Sequence, residues 1–206
     1  MLDRTPYNLL FYLDDIRRSE WWECDNPAKL FSYIHTRMSL GIFADFREII
    51  QKGFNNLEPG GWMESQELYP TIYCEDGTMP EDWALLQWSK KQDEAAMQLG
   101  RPLRIANKLK RWYEQAGFVD VHEREFRIPV NEWALGDRIK LLGKFMQWNM
   151  QDGIYGWSAD YFVKAFQETP EEVHVNCAYV HKSLNDRSVH AYYKTYVTRL
   201  CCCAFY

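Results

Sequence analysis

The stretch LEPGGWMESQE, residues 57–67, decides the fold of this chain. Pro59 disfavours helical geometry at the residue before it, so the apolar helical stretch that leads into it must end there. Gly60 and Gly61 can adopt backbone angles that are closed to other residues. An extended apolar segment then begins at Trp62. The stretch therefore predicts a sharp turn from helix to strand, which is the joint of an α/β fold.

Composition and charge exclude several classes of protein. The chain has 206 residues, of which 47% are hydrophobic, enough for one domain over 1–206 with a full core. The net charge is −5 and no basic stripe is present, so we expect no nucleic-acid partner. No apolar run approaches the ~20 residues of a membrane span, and the early acid in MLDRTPYNLL argues against a secretory signal. We expect a cytoplasmic protein, with the nucleus as the alternative location.

The six cysteines do not have the spacing of a metal site. Cys24, Cys74 and Cys177 are isolated, and residues 201–203 are three consecutive cysteines. A structural zinc site needs pairs spaced like C-x₂-C, with a second pair or histidines further along the chain. We therefore predict no metal, and free thiols in a reducing compartment.

Apolar periodicity and breaker residues predict alternating strands and helices along the chain. The predicted strands are 9–13, 29–38, 62–68, 118–130 and 187–200. The predicted helices are 44–55, 78–99, 105–116, 138–151, 158–168 and 169–184. The early strands alternate with helices, whereas the later helices are clustered. This pattern predicts an α/β sheet with helical cap segments at about 78–116 and 136–184.

Several stretches carry a family resemblance. They are FSYIHTRM (31–38), LEPGGWMESQE (57–67), EDGTMPEDWAL (75–85), GRPLRIANKLKRWYEQAGFVDVHE (100–123) and DRSVHAYYKTYV (186–197). They resemble the class I S-adenosylmethionine (SAM)-dependent methyltransferases, most of all the LaeA-like group of fungal secondary metabolism. The resemblance implies a Rossmann-like sheet in which the strands at 31–37, 62–68, 187–200 and 118–130 are neighbours in that order.

The chain departs from this family in one important respect. The family's first strand and the glycine-rich loop that wraps the cofactor have no counterpart here, because the first glycine is Gly41. The resemblance therefore implies an incomplete sheet, truncated at the N-terminus and lacking the first βαβ unit. The strand Phe31–Arg37 would then have an open edge, and such an edge can pair with another chain in a homo- or hetero-oligomer.

The resemblance also implies site residues. Asp14 and Asp15, with Trp21 shortly after, match the acidic loop that recognises the adenine of SAM; the alternative is a solvated pair of acids at the end of a strand. His35 and Arg37 end the next strand, where ligands of open α/β sheets lie. His35 could be a general base on a substrate hydroxyl. The alternative is a structural histidine, with Arg37 paired to a nearby acid.

Other candidates concern the substrate pocket. Glu64 and Glu67 follow the turn, and an acid near the end of that strand could face a pocket or the surface. A flat apolar substrate could lie against some of the aromatic residues Tyr69, Trp83, Trp88, Trp112 and Trp133. Core packing is the alternative role for these side chains.

Three functions are compatible with these features. The first is SAM-dependent methylation of a small aromatic or apolar molecule in a fungal secondary-metabolite pathway. The second is a non-catalytic relative that acts as a regulatory or binding partner. The third is SAM-independent cyclisation or rearrangement on the same fold, which rests on fold analogy alone.

Overall fold

The computed structural model describes residues 30–202 and, before them, only Leu9, Phe11 and Asp15. The chain divides into two compact units, Met1–Leu30 and Phe31–Tyr206. All helices and strands named below belong to the second unit. The predicted strand at 9–13 falls in the first unit and, apart from Leu9 and Phe11, lies outside the described residues.

Four strands form one mixed sheet. They are β1 (Phe31–Arg37), β2 (Leu57–Tyr73), β3 (Val119–Pro129) and β4 (Tyr192–Cys201), in the spatial order β1-β2-β4-β3. β1 is parallel to β2, whereas β4 is antiparallel to both of its neighbours. This is the order that the family resemblance predicts, so that prediction is confirmed. The helices are α1 (Phe46–Asn56), α2 (Ala84–Gln98), α3 (Leu109–Ala116), α4 (Asp137–Phe166) and α5 (Pro170–Leu184).

The helix-to-strand joint is present and is tighter than predicted. α1 ends at Asn56 and β2 begins at Leu57, so the proline and both glycines lie within the strand. Gly60 has a φ of +80°, a value that favours glycine. A Cβ on Gly61 would lie 3.1 Å from the carbonyl oxygen of Phe31. The glycine pair therefore allows β2 to run close beside the start of β1.

Several predicted helix boundaries are wrong. α3 begins at Leu109, after a 3₁₀ turn at Ala106–Lys108, instead of at residue 105. α2 begins at Ala84 instead of residue 78, because Thr78 donates its backbone N–H and its hydroxyl to Asp76 in a local turn. The helices predicted at 138–151 and 158–168 are one continuous helix, α4, that runs through Gly153 and Gly156. Each glycine disfavours a helix by only about 1 kcal/mol relative to alanine, and the burial of the α4 side chains outweighs that cost.

The helices lie on the two faces of the sheet. α1 and α3 pack together on one face, where Tyr113 and Thr198 are buried. Tyr193 is five residues before Thr198 along β4 and therefore points to the opposite face. There it joins a core formed with α2, α4 and α5, which contact one another. In the second helix layer, α2 contacts β2, and α4 contacts α2 and β3. That these helices form a cap over a substrate stays a prediction.

Candidate functional site

A cavity of about 170 Å³ lies beyond the carboxyl end of β1, beside the later part of β2. Its walls come from the loop after β1, from β2 and β4, and from α2 and α4. Four aromatic side chains line it, namely Trp88, Trp157, Tyr161 and Tyr193. Ligands of open α/β sheets bind beyond the carboxyl ends of the strands, so the cavity is in the expected position for a site.

Glu67 is the charged residue of this cavity and is completely buried on β2. Its carboxylate accepts the Ser39 backbone N–H at 2.9 Å and the Ser39 hydroxyl at 2.6 Å. The backbone N–H of Leu40 adds a longer bond of 3.4 Å. Burial raises the pKa of Glu67, and these donors only partly oppose that rise. Glu67 therefore fixes the loop after β1 to the neighbouring strand.

The same loop is also held from α4. The hydroxyl of Tyr161 donates to the carbonyl oxygen of Gly41 at 2.7 Å. Gly41 has a φ of +79°, and a Cβ there would come within 2.4 Å of both Leu103 and that hydroxyl. Met38, at the start of the loop, has a φ of +51°. The loop thus enters a strained conformation that contacts on two sides maintain.

Two polar atoms of the cavity residues have no hydrogen-bond partner within the described part of the chain. Gln92 donates its amide Nε2 to the carbonyl oxygen of Trp157 at 2.8 Å, whereas its Oε1 is buried and unpaired. The hydroxyl of Tyr193 is also buried and unpaired. Burial raises the pKa of Tyr193 far above its usual range, so this phenol is neutral. Unpaired buried polar atoms are uncommon in folded proteins, and these two belong to residues that line one cavity.

The remaining polar contacts make the aromatic wall rigid. Trp88 donates its indole N–H to the hydroxyl of Ser158 at 2.8 Å, and Ser158 donates to the carbonyl oxygen of Ile154 at 2.6 Å. The guanidinium of Arg101 lies 4.6 Å from the centre of the Tyr161 ring and pairs with Asp160 at 2.8 Å. The rings of this wall are therefore held in place before any ligand arrives.

The structure does not bring the predicted pair His35 and Arg37 into the cavity. Both side chains are exposed on β1, and the cavity lining begins at the next residue, Met38. The Nε2 atom of His35 lies 3.8 Å from a carboxylate oxygen of Glu64, and its ring stacks on Tyr33. A catalytic role for His35 and Arg37 stays a prediction.

The other predicted site residues divide between the cavity and other places. Asp14 and Trp21 lie outside the described residues, and Asp15 is half-buried. Of the two acids after the turn, Glu67 lines the cavity and Glu64 does not. Of the five aromatic candidates, Trp88 lines it, and Tyr69, Trp83, Trp112 and Trp133 are not among its lining residues.

Sequence reasoning missed Gln92, Trp157 and Tyr161. A signal was present in the spacing, because Trp88 and Gln92 are four residues apart on α2, as Trp157 and Tyr161 are on α4. Residues four apart share one face of a helix. Two such pairs on neighbouring helices could have predicted a shared aromatic wall.

The family-specific motifs around Asp76 and His190 meet away from this cavity. Asp76 pairs with Nδ1 of His190 at 2.5 Å, which holds the pKa of Asp76 well below its usual range. The His190 ring stacks on Trp133, with ring centres 4.8 Å apart. These contacts connect the turn after β2 to the start of β4. Within residues 30–202 no cluster of three metal-ligating side chains occurs, and no helix is long and apolar enough to cross a membrane.

Comparisons with known proteins find methyltransferases. Residues 10–123 match the family model described as a methyltransferase domain. The methyltransferase pytC of Aspergillus terreus is 31% identical over 187 residues, covering 91% of this chain and 56% of that protein. The probable methyltransferase tdiE of Emericella nidulans is 29% identical, covering 94% of this chain and 60% of that protein.

More distant matches include a regulator and a solved structure. The secondary metabolism regulator laeA of Aspergillus flavus is 23% identical, covering 91% of this chain and 50% of that protein. The structure of Haemonchus contortus phosphoethanolamine N-methyltransferase 2 in complex with S-adenosyl-L-methionine has a TM-score of 0.41 and 13% identity. That similarity covers 84% of this chain and 33% of the solved chain.

These observations define an α/β protein with a ligand-sized cavity beyond the carboxyl end of β1. The family model matches more than half of the residues, so the chain belongs to the methyltransferase-domain family. The chain spans between 50% and 60% of the length of the three relatives named above.

Proposed function

We propose that this chain forms the acceptor-binding part of a SAM-dependent methyltransferase that acts on a small aromatic or apolar molecule of fungal secondary metabolism. The cavity beyond the carboxyl end of β1 carries this proposal, because it combines an aromatic wall with a position where ligands of open α/β sheets bind. The fungal methyltransferases among the relatives support the pathway class.

The residues of the cavity fit a cationic sulfonium cofactor nearby. Glu67 supplies a carboxyl group, the aromatic rings present faces that attract cations, and no described lining residue is a lysine or arginine. Bound SAM would supply an activated methyl group. From the family resemblance alone, we propose that Asp14, Asp15 and Trp21 contact adenine.

The protein's own contribution is then mainly positioning. Trp88 and Tyr161, each held by a hydrogen bond, orient a flat acceptor group. Glu67 keeps the loop after β1 in place, so that Met38 and Leu40 complete the cavity. His35, beside this loop, stays the proposed base for an acceptor hydroxyl, with Arg37 next to it.

Isothermal titration of the full chain with SAM tests the cofactor part of the proposal. We expect measurable binding heat and a stabilising thermal shift. Asp15→Asn should weaken SAM binding about 10-fold or more, the effect of a hydrogen bond to a charged group. Asp120→Asn is the matched control, because Asp120 is exposed beside its partner His122 on β3.

A negative result in the SAM titration would contradict the proposal. No heat and no thermal shift at millimolar SAM would exclude methyl transfer by this chain and favour the non-catalytic alternative. Light scattering then tests the proposed pairing of another chain along Phe31–Arg37. A stable monomer at all concentrations would contradict that pairing.

A further inference from the structure

We infer that the cavity selects a non-anionic, single-ring aromatic group that carries a hydrogen-bond donor, and that Gln92 recognises this donor. The inference rests on the proposed function, because the ring is taken to belong to the methyl acceptor. It adds the size, the charge and the polarity of the group that the cavity encloses.

The size of the cavity limits the enclosed group to one ring. An apolar cavity of about 150 Å³ in another protein is large enough to bind benzene. The present cavity, at about 170 Å³, holds one ring with one small substituent. Any larger acceptor must leave its remaining part outside the cavity.

The walls favour an aromatic ring over a flexible chain. The indole of Trp88 is fixed by its bond to Ser158, and the phenol of Tyr161 by its bond to Gly41. Fixed aromatic faces favour stacked or edge-on contact with a second ring. An aliphatic chain would lose more conformational freedom on entering the same space.

Gln92 determines which hydrogen-bonding group the ligand must carry. Its Nε2 is committed to the carbonyl oxygen of Trp157, and this bond fixes the orientation of the amide. The atom left unpaired, Oε1, can only accept a hydrogen bond. A ligand that satisfies it must bring a donor, such as a phenolic O–H or a ring N–H. The unpaired hydroxyl of Tyr193 can pair with the same ligand group as donor or acceptor.

The charge of the lining disfavours an anionic ring. Glu67 is the one ionisable carboxyl group among the described lining residues, and no arginine or lysine accompanies it. A carboxylate ligand would have to lose its hydration without gaining a cationic partner. The free hydroxyl of a phenol or the N–H of a pyrrole meets no such penalty.

Four one-ring probes separate these requirements in the absence of SAM. Phenol has a donor, toluene has the same size without one, anisole has an acceptor without a donor, and benzoate is an anion. Dissociation constants come from ligand-observed NMR titration of the full chain. We expect phenol to bind about 2- to 12-fold more tightly than toluene, the effect of one net hydrogen bond, and benzoate to bind most weakly.

Two variants assign the preference to Gln92. Gln92→Leu should still bind toluene and should lose the preference for phenol. Gln98→Leu, an exposed position on the same helix, should keep it. Each of three wild-type results would overturn the inference. These are equal binding of phenol and toluene, no binding of either, and tighter binding of anisole or benzoate than of phenol. The wild-type comparison needs no variant, so it holds even if Gln92→Leu does not fold.

The test also separates this inference from the proposed function. A preference for phenol together with no SAM binding would refute the methyltransferase proposal and support the selective cavity. SAM binding together with no preference for phenol would support the methyltransferase proposal and overturn the inference about the selective cavity.

Discussion

Replacing Gly143 with alanine should lower the free energy of unfolding by at least 1–3 kcal/mol, about the usual cost of overpacking a core. A Cβ at this position of α4 would lie 2.0 Å from the carbonyl oxygen of Asn131 and 2.7 Å from its carbonyl carbon. No pair of non-bonded atoms tolerates such a distance. Either α4 or the backbone at Asn131 must move.

Asn131 is poorly able to move, because its side chain connects the loop after β3 to the end of α5. Its Nδ2 donates to the carbonyl oxygens of Leu184 and Asp186, both at 3.0 Å. Its Oδ1 accepts the backbone N–H of Trp133 at 3.0 Å. Asn131 is also completely buried, so a displacement would leave these groups without water as an alternative partner.

Gly156→Ala is the matched control, because it makes the same change in the same helix. A Cβ there would meet no atom within 4 Å. Since alanine favours a helix more than glycine does, this variant should be about 0.5–1 kcal/mol more stable than the wild type. Urea denaturation measures both variants. Equal effects at the two positions would show that helix propensity, and not the contact with Asn131, governs the stability of α4.

The second prediction concerns Glu67 and pH. Burial raises the pKa of Glu67 above its ordinary value of 4.5, so the protonated form stabilises the folded state more than the ionised form does. That contribution is complete below the ordinary pKa and disappears as the pH rises through the raised pKa. Other carboxyl groups change stability over the same range. The quantity to measure is therefore the difference in unfolding free energy between the wild type and Glu67→Gln.

We expect the unfolding free energy of the wild type minus that of Glu67→Gln to fall as the pH rises from about 4.5. The variant serves as the reference because glutamine keeps the shape of the side chain and does not ionise. Urea denaturation across that range gives the values. Glu64→Gln is the control, since it removes a carboxyl group from the same strand at a position outside the cavity. A difference that rises with pH, or an equal trend in the control, would contradict the assignment to Glu67.

The ends of several helices and strands could be predicted from local signals, whereas the order of the sheet was predicted from the family resemblance. Pro59 with its two glycines marked the joint, and Gly117 marked the end of α3 with a φ of +102°. Thr169 and Glu172 form the capping box that begins α5. Each of these features depends on a few neighbouring residues, so the sequence alone contains the information.

The site was harder to predict because its residues meet only through tertiary contacts. Glu67 was one of two candidate acids, and only its burial against the loop after β1 distinguishes it from Glu64. Gln92 and Tyr193 come from elements far apart in sequence. Their unpaired oxygens depend on which other polar atoms are near, and no local pattern records that. His35 and Arg37 were chosen from their position at the end of a strand, which does not reveal the side to which a side chain points.

The single helix α4 connects two distant parts of the molecule. Gly143 contacts Asn131 near its start, and Trp157 lines the cavity 14 residues later, about 21 Å along the axis at 1.5 Å per residue. A continuous helix transmits a small displacement at one end as a tilt at the other. We therefore expect substitutions around Asn131 to shift the aromatic wall without touching it, so residues far from the cavity can change which groups the cavity accommodates.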